Sequence, residues 1–225
     1  MNTNELCEKL KSLEKTGLAE VEIEIRRGDN GSVGRHLEAA LGVVENNRQG
    51  PDCEEAQVEL KTKRKGSAAR TSLFCAEPTW VHPAIKNMRA AVAKYKNETG
   101  RMNIVVTSRK NSHGFWIAVE DAQIMMYHDG VALCYWDKAA LLQRANEKLV
   151  NMALTFVEDE VNISRSDLYE GFKENEFLNL LNSGKMTVEF RAADYNGVKK
   201  FKNRGTAFRL LPPHLKTLYN TTRIV

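Results

Sequence analysis

Cysteine is sparse in this 225-residue chain: Cys7, Cys53, Cys75 and Cys134 stand far apart, and no two form a Cys-x-x-Cys pair. That scatter argues against a disulfide scaffold or a zinc ribbon and implies reduced, mostly buried thiols. The N-terminus shows no apolar run behind a basic start, so no secretory signal is read there. No apolar stretch approaches the ~20 residues that span a bilayer. These absences lead us to expect a cytoplasmic protein without membrane partners. There is no internal repeat and no low-complexity tract. No Gly-x-x-x-x-Gly-Lys-Ser/Thr occurs, which removes the sequence signature of ATP use. His36, His82, His113, His128 and His214 have no metal-ligand spacing, and Ser72 and Ser108 lack a His/Asp set that would make either a nucleophile.

The chain is 42% hydrophobic and 28% charged, a balance that fits a globular fold of one large domain or of two lobes. Its formal charge of +4 is modest, but it is unevenly spread. Residues 158–176 hold seven acids against two bases; residues 184–225 hold nine bases against two acids, a local +7. Charge gathered in one region suits a phosphate-binding surface better than net charge alone does.

Leu6, Leu10 and Leu13 predict a helix over 4–15. Residues 19–26 fit either a short strand or a continuation of that helix. Asp29-Asn30-Gly31 reads as a turn, and Ser32 as the N-cap of a helix that buries Val33, Leu37, Ala40 and Leu41 and stops at Gly42. Val58–Lys61 is a strand made internal by Val58 and Leu60, and 71–76 is the next. Pro78 and Pro83 mark a loop before a helix from about Ala84 to Lys96. Strands follow at Asn103–Ser108, Gly114–Val119 and Gln123–His128; Asp129-Gly130 turns the chain into Val131–Trp136. A helix is predicted from Lys138 to Ala153. Trp80, Trp116 and Trp136 read as core or lobe-interface residues. The class is α/β or α+β with a mixed sheet.

The stretch Gly50-Pro51-Asp52-Cys53-Glu54-Glu55-Ala56-Gln57-Val58-Glu59-Leu60-Lys61 carries the chemistry. Side chains alternate along a strand, so Glu59 and Lys61 share one face and Val58 and Leu60 the other. The Gly-Pro turn is expected to return Asp52 to that strand. Mg²⁺ takes oxygen ligands and is usually held by one or two carboxylates plus substrate phosphate. Asp52 and Glu59 would supply the carboxylates and the Leu60 carbonyl a third oxygen. Lys61 would orient the attacking water and stabilise charge on the phosphate. Lys63, Arg64, Lys65 and Arg70 follow without an intervening acid, where a DNA backbone would lie. In the basic C-terminal region, Arg204 or Arg209 would reach guanine, while Lys199, Lys200 and Lys202 would contact phosphates.

The run Gly31-Ser32-Val33-Gly34-Arg35-His36-Leu37-Glu38-Ala39-Ala40-Leu41-Gly42-Val43-Val44-Glu45-Asn46-Asn47, followed by Glu59-Leu60-Lys61, resembles the MvaI/BcnI restriction endonucleases, relatives of the mismatch-repair nickase MutH. The similarity continues through Tyr127–Asp137 and Asn203-Arg204-Gly205…Arg209-Leu210. It implies a PD-(D/E)xK fold: a mixed central sheet flanked by helices, with two lobes forming a DNA-binding cleft. We place a catalytic lobe at 1–155 and a DNA-recognition lobe at 156–225, with an approximate boundary and interleaving allowed. Asp52, Glu59 and Lys61 fall on the catalytic positions, and Glu38 on the helix glutamate beside the active site. The resemblance further implies a monomeric, Mg²⁺-dependent type II enzyme that cuts double-stranded DNA at a CCNGG-like site with metal-activated water, nicking one strand and then the other. A cognate DNA methyltransferase would be its genetic partner. Two departures stand out. The Asp52–Glu59 spacing is wider than in MvaI and nearer MutH, which leaves Glu55 as an alternative ligand. Lys202 and Ala207 stand where MvaI carries histidines. A MutH-like nickase and a non-catalytic DNA-binding module are the rival readings.

Overall fold

The structure, a computed structural model, describes residues 1–18, 31–43, 50–195 and 201–225. In chain order its elements are α1 (Thr3–Thr16), α2 (Ser32–Ala40), β1 (Val58–Arg64), β2 (Thr71–Cys75), β3 (Thr79–Trp80), α3 (Met88–Tyr95), β4 (Arg101–Val106), β5 (Phe115–Val119), β6 (Gln123–His128), β7 (Val131–Asp137), α4 (Lys138–Leu149), β8 (Asn151–Val157), β9 (Ile163–Phe172), α5 (Glu174–Asn182), β10 (Met186–Ala193), β11 (Lys202–Leu210), α6 (Pro212–Leu215) and β12 (Tyr219–Ile224). The architecture is α+β, as the sequence led us to expect. Among the described residues no helix is long and apolar enough to cross a membrane.

The chain forms two compact units, each assembled from separated segments. The first comprises Met1–Thr71, Arg144–Lys173 and Leu215–Val225; the second comprises Ser72–Gln143 and Glu174–His214. The expected division at 155/156 differs from this, because that cut falls inside β8, which hydrogen-bonds to β1 on one side and β9 on the other.

The first unit holds a mixed sheet ordered β1-β8-β9-β12, with β1 parallel to β8 and the remaining pairs antiparallel. Asn2 caps α1 in a full capping box: its side chain accepts from the Glu5 N–H, and the Glu5 carboxylate accepts from the Asn2 N–H. Leu6 and Leu10 of α1, Val33 and Leu37 of α2, and Val58 and Leu60 of β1 then bury together in one apolar cluster. Helix α2 starts at Ser32 with Gly31 in the N-cap position and no side-chain cap bond, so Ser32 is a buried first residue rather than the cap. Its end is as expected. Gly42 sits at φ +75°, with Gly42 N–H donating to Ala39 and Val43 N–H to Glu38, a Schellman closure. Among the described residues β1 lies at the edge of its sheet, not inside it; helices α1 and α2 bury its apolar face instead. Residues 19–26, Asp29 and Asn30 lie outside the described residues.

The second unit holds sheets ordered β2-β11-β10-β4 and β3-β7-β6-β5. Its core is aromatic: Phe74 stacks on Phe208 at 5.1 Å, and Trp136 meets Phe208 at 5.5 Å and Phe190 at 5.9 Å. The Trp136 indole N–H donates to the Ala76 carbonyl at 2.9 Å. Asp129 and Gly130, both at positive φ, make the expected tight hairpin. Two helices are shorter than predicted. Helix α3 begins only after Asn87, whose side chain accepts from the Ala90 N–H. Helix α4 stops at Leu149 because the apolar run that follows is strand β8, with Met152, Ala153 and Leu154 fully buried. A short apolar run buried on both faces carries no periodicity to separate strand from helix.

Candidate active site

The site forms in the first unit, where the chain doubles back before β1. Cys53 and Val58 exchange both backbone hydrogen bonds, at 2.9 and 3.1 Å, and close a turn over the four residues between them. Gln57 takes φ +54° to complete that turn, and its carbonyl accepts from the Asn151 side-chain amide of β8 at 3.2 Å. The reversal therefore lies at 54–57 rather than at Gly50-Pro51. It explains the wide spacing between the acids: the additional residues are spent in a closed turn, and Asp52 still meets the strand. Asp52 Oδ2 accepts from the Leu60 N–H at 2.9 Å.

Glu59 is only 1% exposed. A carboxylate this deep survives ionised only when paired. Two ammonium groups pair with it. Lys61 contacts Glu59 Oε1 from two positions along the strand, and Lys148 Nζ lies 2.6 Å from Glu59 Oε2. The same Lys148 ammonium lies 3.2 Å from Asp52 Oδ1 and donates to the Gly50 carbonyl at 2.8 Å. Two carboxylate oxygens and one carbonyl oxygen thus converge on a single cationic centre. Lys148 comes from the last turn of α4, directly before β8 pairs with β1, and this junction delivers it to the acids.

The electrostatics follow from depth and proximity. Burial pushes the Glu59 carboxyl above the ordinary glutamate range; Lys61 and Lys148 pull it back, and Asp52 adds to the rise. Burial alone would depress Lys148, but Glu59 and Asp52 outweigh it and hold the ammonium protonated. The Cys53 thiol is pushed up to about 11 by burial, with Asp52 next in size and Glu38 also contributing. Glu38 is half-buried on α2, one turn beyond Gly34, whose Cα faces Thr62 of β1.

The remaining predicted residues are distributed as follows. Leu60 is tied to Asp52 through its N–H. Glu55 is exposed and pairs with the Met1 ammonium, away from the two acids. Lys63 donates to the Ala69 carbonyl. Lys65 and Arg64 are exposed and pair with Glu158 at 2.7 Å and Glu160 at 3.7 Å, so part of the acidic stretch neutralises part of the basic run. Arg70 is half-buried. In the second unit Lys202 and Arg204 are exposed on β11, whereas Arg209 is held by the buried Glu189 at 2.6 Å. Lys199 and Lys200 lie outside the described residues, as does the 44–47 segment. Sequence reasoning missed Lys148. It is 87 positions from Lys61, and a lysine in a final helical turn ordinarily reads as a partner for the helix dipole.

Among the described residues no three His, Cys, Asp or Glu side chains gather as a metal cluster. The donor set is instead two carboxylates with a backbone carbonyl, all oxygen, which suits a hard divalent ion that completes its shell with water and substrate. An α+β fold with such a donor set and two lysines beside it suits the chemistry of a nuclease. The chain belongs to the MvaI/BcnI restriction endonuclease family, whose model matches residues 7–219. It is accordingly a site-specific deoxyribonuclease of the type II restriction class. Among solved structures it is similar to restriction endonuclease MvaI in complex with cognate DNA, at 20% identity and TM-score 0.76, covering 100% of this chain and 99% of that one. It is also similar to MvaI in the absence of DNA, at 19% identity and TM-score 0.52, covering 100% and 98%. No curated protein matches.

Proposed function

We propose that this enzyme is a Mg²⁺-dependent endonuclease that hydrolyses both strands of duplex DNA at a short CCNGG-like site, acting as a cytoplasmic monomer beside a cognate methyltransferase. The observation that carries the metal assignment is the convergence of Asp52 Oδ1, Glu59 Oε2 and the Gly50 carbonyl on one cation-sized position, held by Lys148 Nζ. Asp52 and Glu59 would hold the ion, with the Leu60 carbonyl as a further oxygen. Mg²⁺ held by these residues would supply Lewis acidity and an activated water. Lys61 orients that water and stabilises charge on the phosphoryl oxygens. Glu38, half-buried on α2, is the helix glutamate that would act beside these residues. No covalent enzyme intermediate is required.

The test is Lys61→Ala. Cleavage should fall by about a hundredfold or more, with duplex binding in a non-cleaving buffer unchanged. A variant that cuts at the wild-type rate would remove the assignment. Digesting genome-sized DNA with Mg²⁺ and sequencing the ends then reads out site, cut position and strand order. The wide Asp52–Glu59 spacing favours a second reading, a strand-specific nickase. An efficient double-strand break without added proteins argues against it.

A further inference from the structure

The second unit carries a group of arginines that neither packing nor ion pairing explains. Four other described arginines find acids. Arg64 meets Glu160 at 3.7 Å, Arg165 meets Asp167 at 3.0 Å, Arg209 meets Glu189 at 2.6 Å and Arg223 meets Glu170 at 3.3 Å. Arg101, Arg191 and Arg204 are different. Together they line a cavity of about 220 Å³, with Asn103 and Tyr195 beside them, and their guanidinium groups have neither a carboxylate nor a hydrogen-bond partner among the described residues. The Nε of Arg191 is buried and unsatisfied. Leaving a buried charged donor without an acceptor costs about 1–3 kcal/mol or more, and gathering like charges adds to that cost.

The backbone brings the three together. Arg191 on β10 stands opposite Asn103 on β4, and Ala193 stands opposite Arg101, so Arg101 and Arg191 share a face of the sheet. On the other side the β10–β11 register shifts between Phe190 and Ala192, which sets Arg204 and Gly205 against Arg191 alone. Gly205 takes φ +77° in this bulge, and a Cβ there would lie 3.3 Å from Cys75 Sγ. A bulge re-aims the side chain beside it, and here that side chain is Arg204. Neighbouring Arg209, locked by Glu189, is not available in the same way.

We propose that Arg101, Arg191 and Arg204 form a binding site for a backbone phosphate of the DNA, which positions the duplex on this sheet. The proposal rests on the endonuclease reading and deepens it. It also shifts the expected interaction away from Arg209. A guanidinium fork matches phosphate oxygens in a bidentate manner, and a phosphate in the cavity would cancel the crowded charge.

The test uses the full chain in EDTA, where DNA is bound without being cut, with Arg191→Gln and the double variant R101Q/R204Q. Fluorescence anisotropy on a cleavable duplex and on an unrelated duplex should show affinity lowered by about tenfold or more for both. The slope of log K against log salt should become shallower by about 0.9 for each phosphate that the variant no longer neutralises. The melting temperature should hold or rise, since an unsatisfied charge has been removed. Unchanged binding and salt slope in both variants, while the wild type still cuts DNA, would overturn the site. Loss of discrimination between duplexes at an unchanged slope would also overturn it, in favour of base reading. A marked fall in melting temperature for both variants would make the arginines structural and sink the proposal. Failure of the wild type to cut any DNA would instead defeat the endonuclease reading.

Discussion

At the scale of single residues, Lys148 alters how the Asp52/Glu59 site works. The pair of acids is not simply exposed and waiting for a metal: one ammonium reaches both of them and the Gly50 carbonyl. Removing one partner of a buried ionic set leaves uncompensated charge, which costs several kcal/mol in the general case. Glu59 keeps Lys61, so the loss here should be smaller. Lys148→Met should therefore destabilise the protein in EDTA by on the order of 2 kcal/mol. Divalent ions should return more of that stability to the variant than they add to the wild type, because a bound ion stabilises only the folded state. Thermal melts of both proteins with EDTA and with Mn²⁺ check this. Equal melting temperatures in EDTA would show that Lys148 does not neutralise the pair. That Glu59 and Lys61 share one side of β1 was legible in the sequence because a period of two fixes which strand residues share a face. Lys148 was not, because only the α4–β8 junction brings it near, and nothing local in Asn146-Glu147-Lys148 signals that pairing.

At the scale of elements, two local closures set the residues around β1. The first is the Cys53–Val58 turn that returns Asp52 to Leu60. The second is the end of α2, where the Glu38 carbonyl accepts from Val43 and Gly42 supplies the left-handed residue. A side chain at φ +75° is strained by roughly 1–2 kcal/mol relative to glycine. Gly42→Ala should lower stability by about 1 kcal/mol and loosen the turn that carries Glu38, so cleavage should fall more than DNA binding does. Chemical denaturation gives the first quantity, and paired cleavage and binding assays give the second. A variant as stable as the wild type would mean that Val43 and Leu41 hold the helix end without help from the glycine. Gly42 as a stop signal was readable because its chemistry is local. The 54–57 turn was not. Gln57 at positive φ is no turn signature, and the Asn151 side-chain amide that donates to its carbonyl lies 94 residues away.

At the scale of the whole chain, what matters is how far sequence order departs from spatial grouping. Strands such as Gln123–His128 and the Asp129-Gly130 hairpin were visible because their partners are neighbours in sequence. In the basic C-terminal region β11 carries Lys202 and Arg204 exposed. The division into lobes was not visible, because a composition shift near residue 157 marks where the charge changes and not where one packed unit ends. Strand β8 pairs with β1 through Val58↔Asn151 to Arg64↔Val157 and with β9 on its other edge. A cut at 155/156 would strip β9 and β12 from that sheet and uncover Met152, Ala153 and Leu154, each fully buried. The same cut removes α5, β10 and β11 from the second unit. Fragment 1–155 would keep the β3-β7-β6-β5 sheet whole, but the cut splits the other two sheets, and neither piece would then keep a covered core. Expressed alone, fragments 1–155 and 156–225 should each lack a cooperative thermal transition, whereas the intact chain should have one. Circular dichroism melts decide it: if 1–155 unfolds cooperatively by itself, the first unit does not depend on its C-terminal segments, and the catalytic residues belong to a contiguous domain after all.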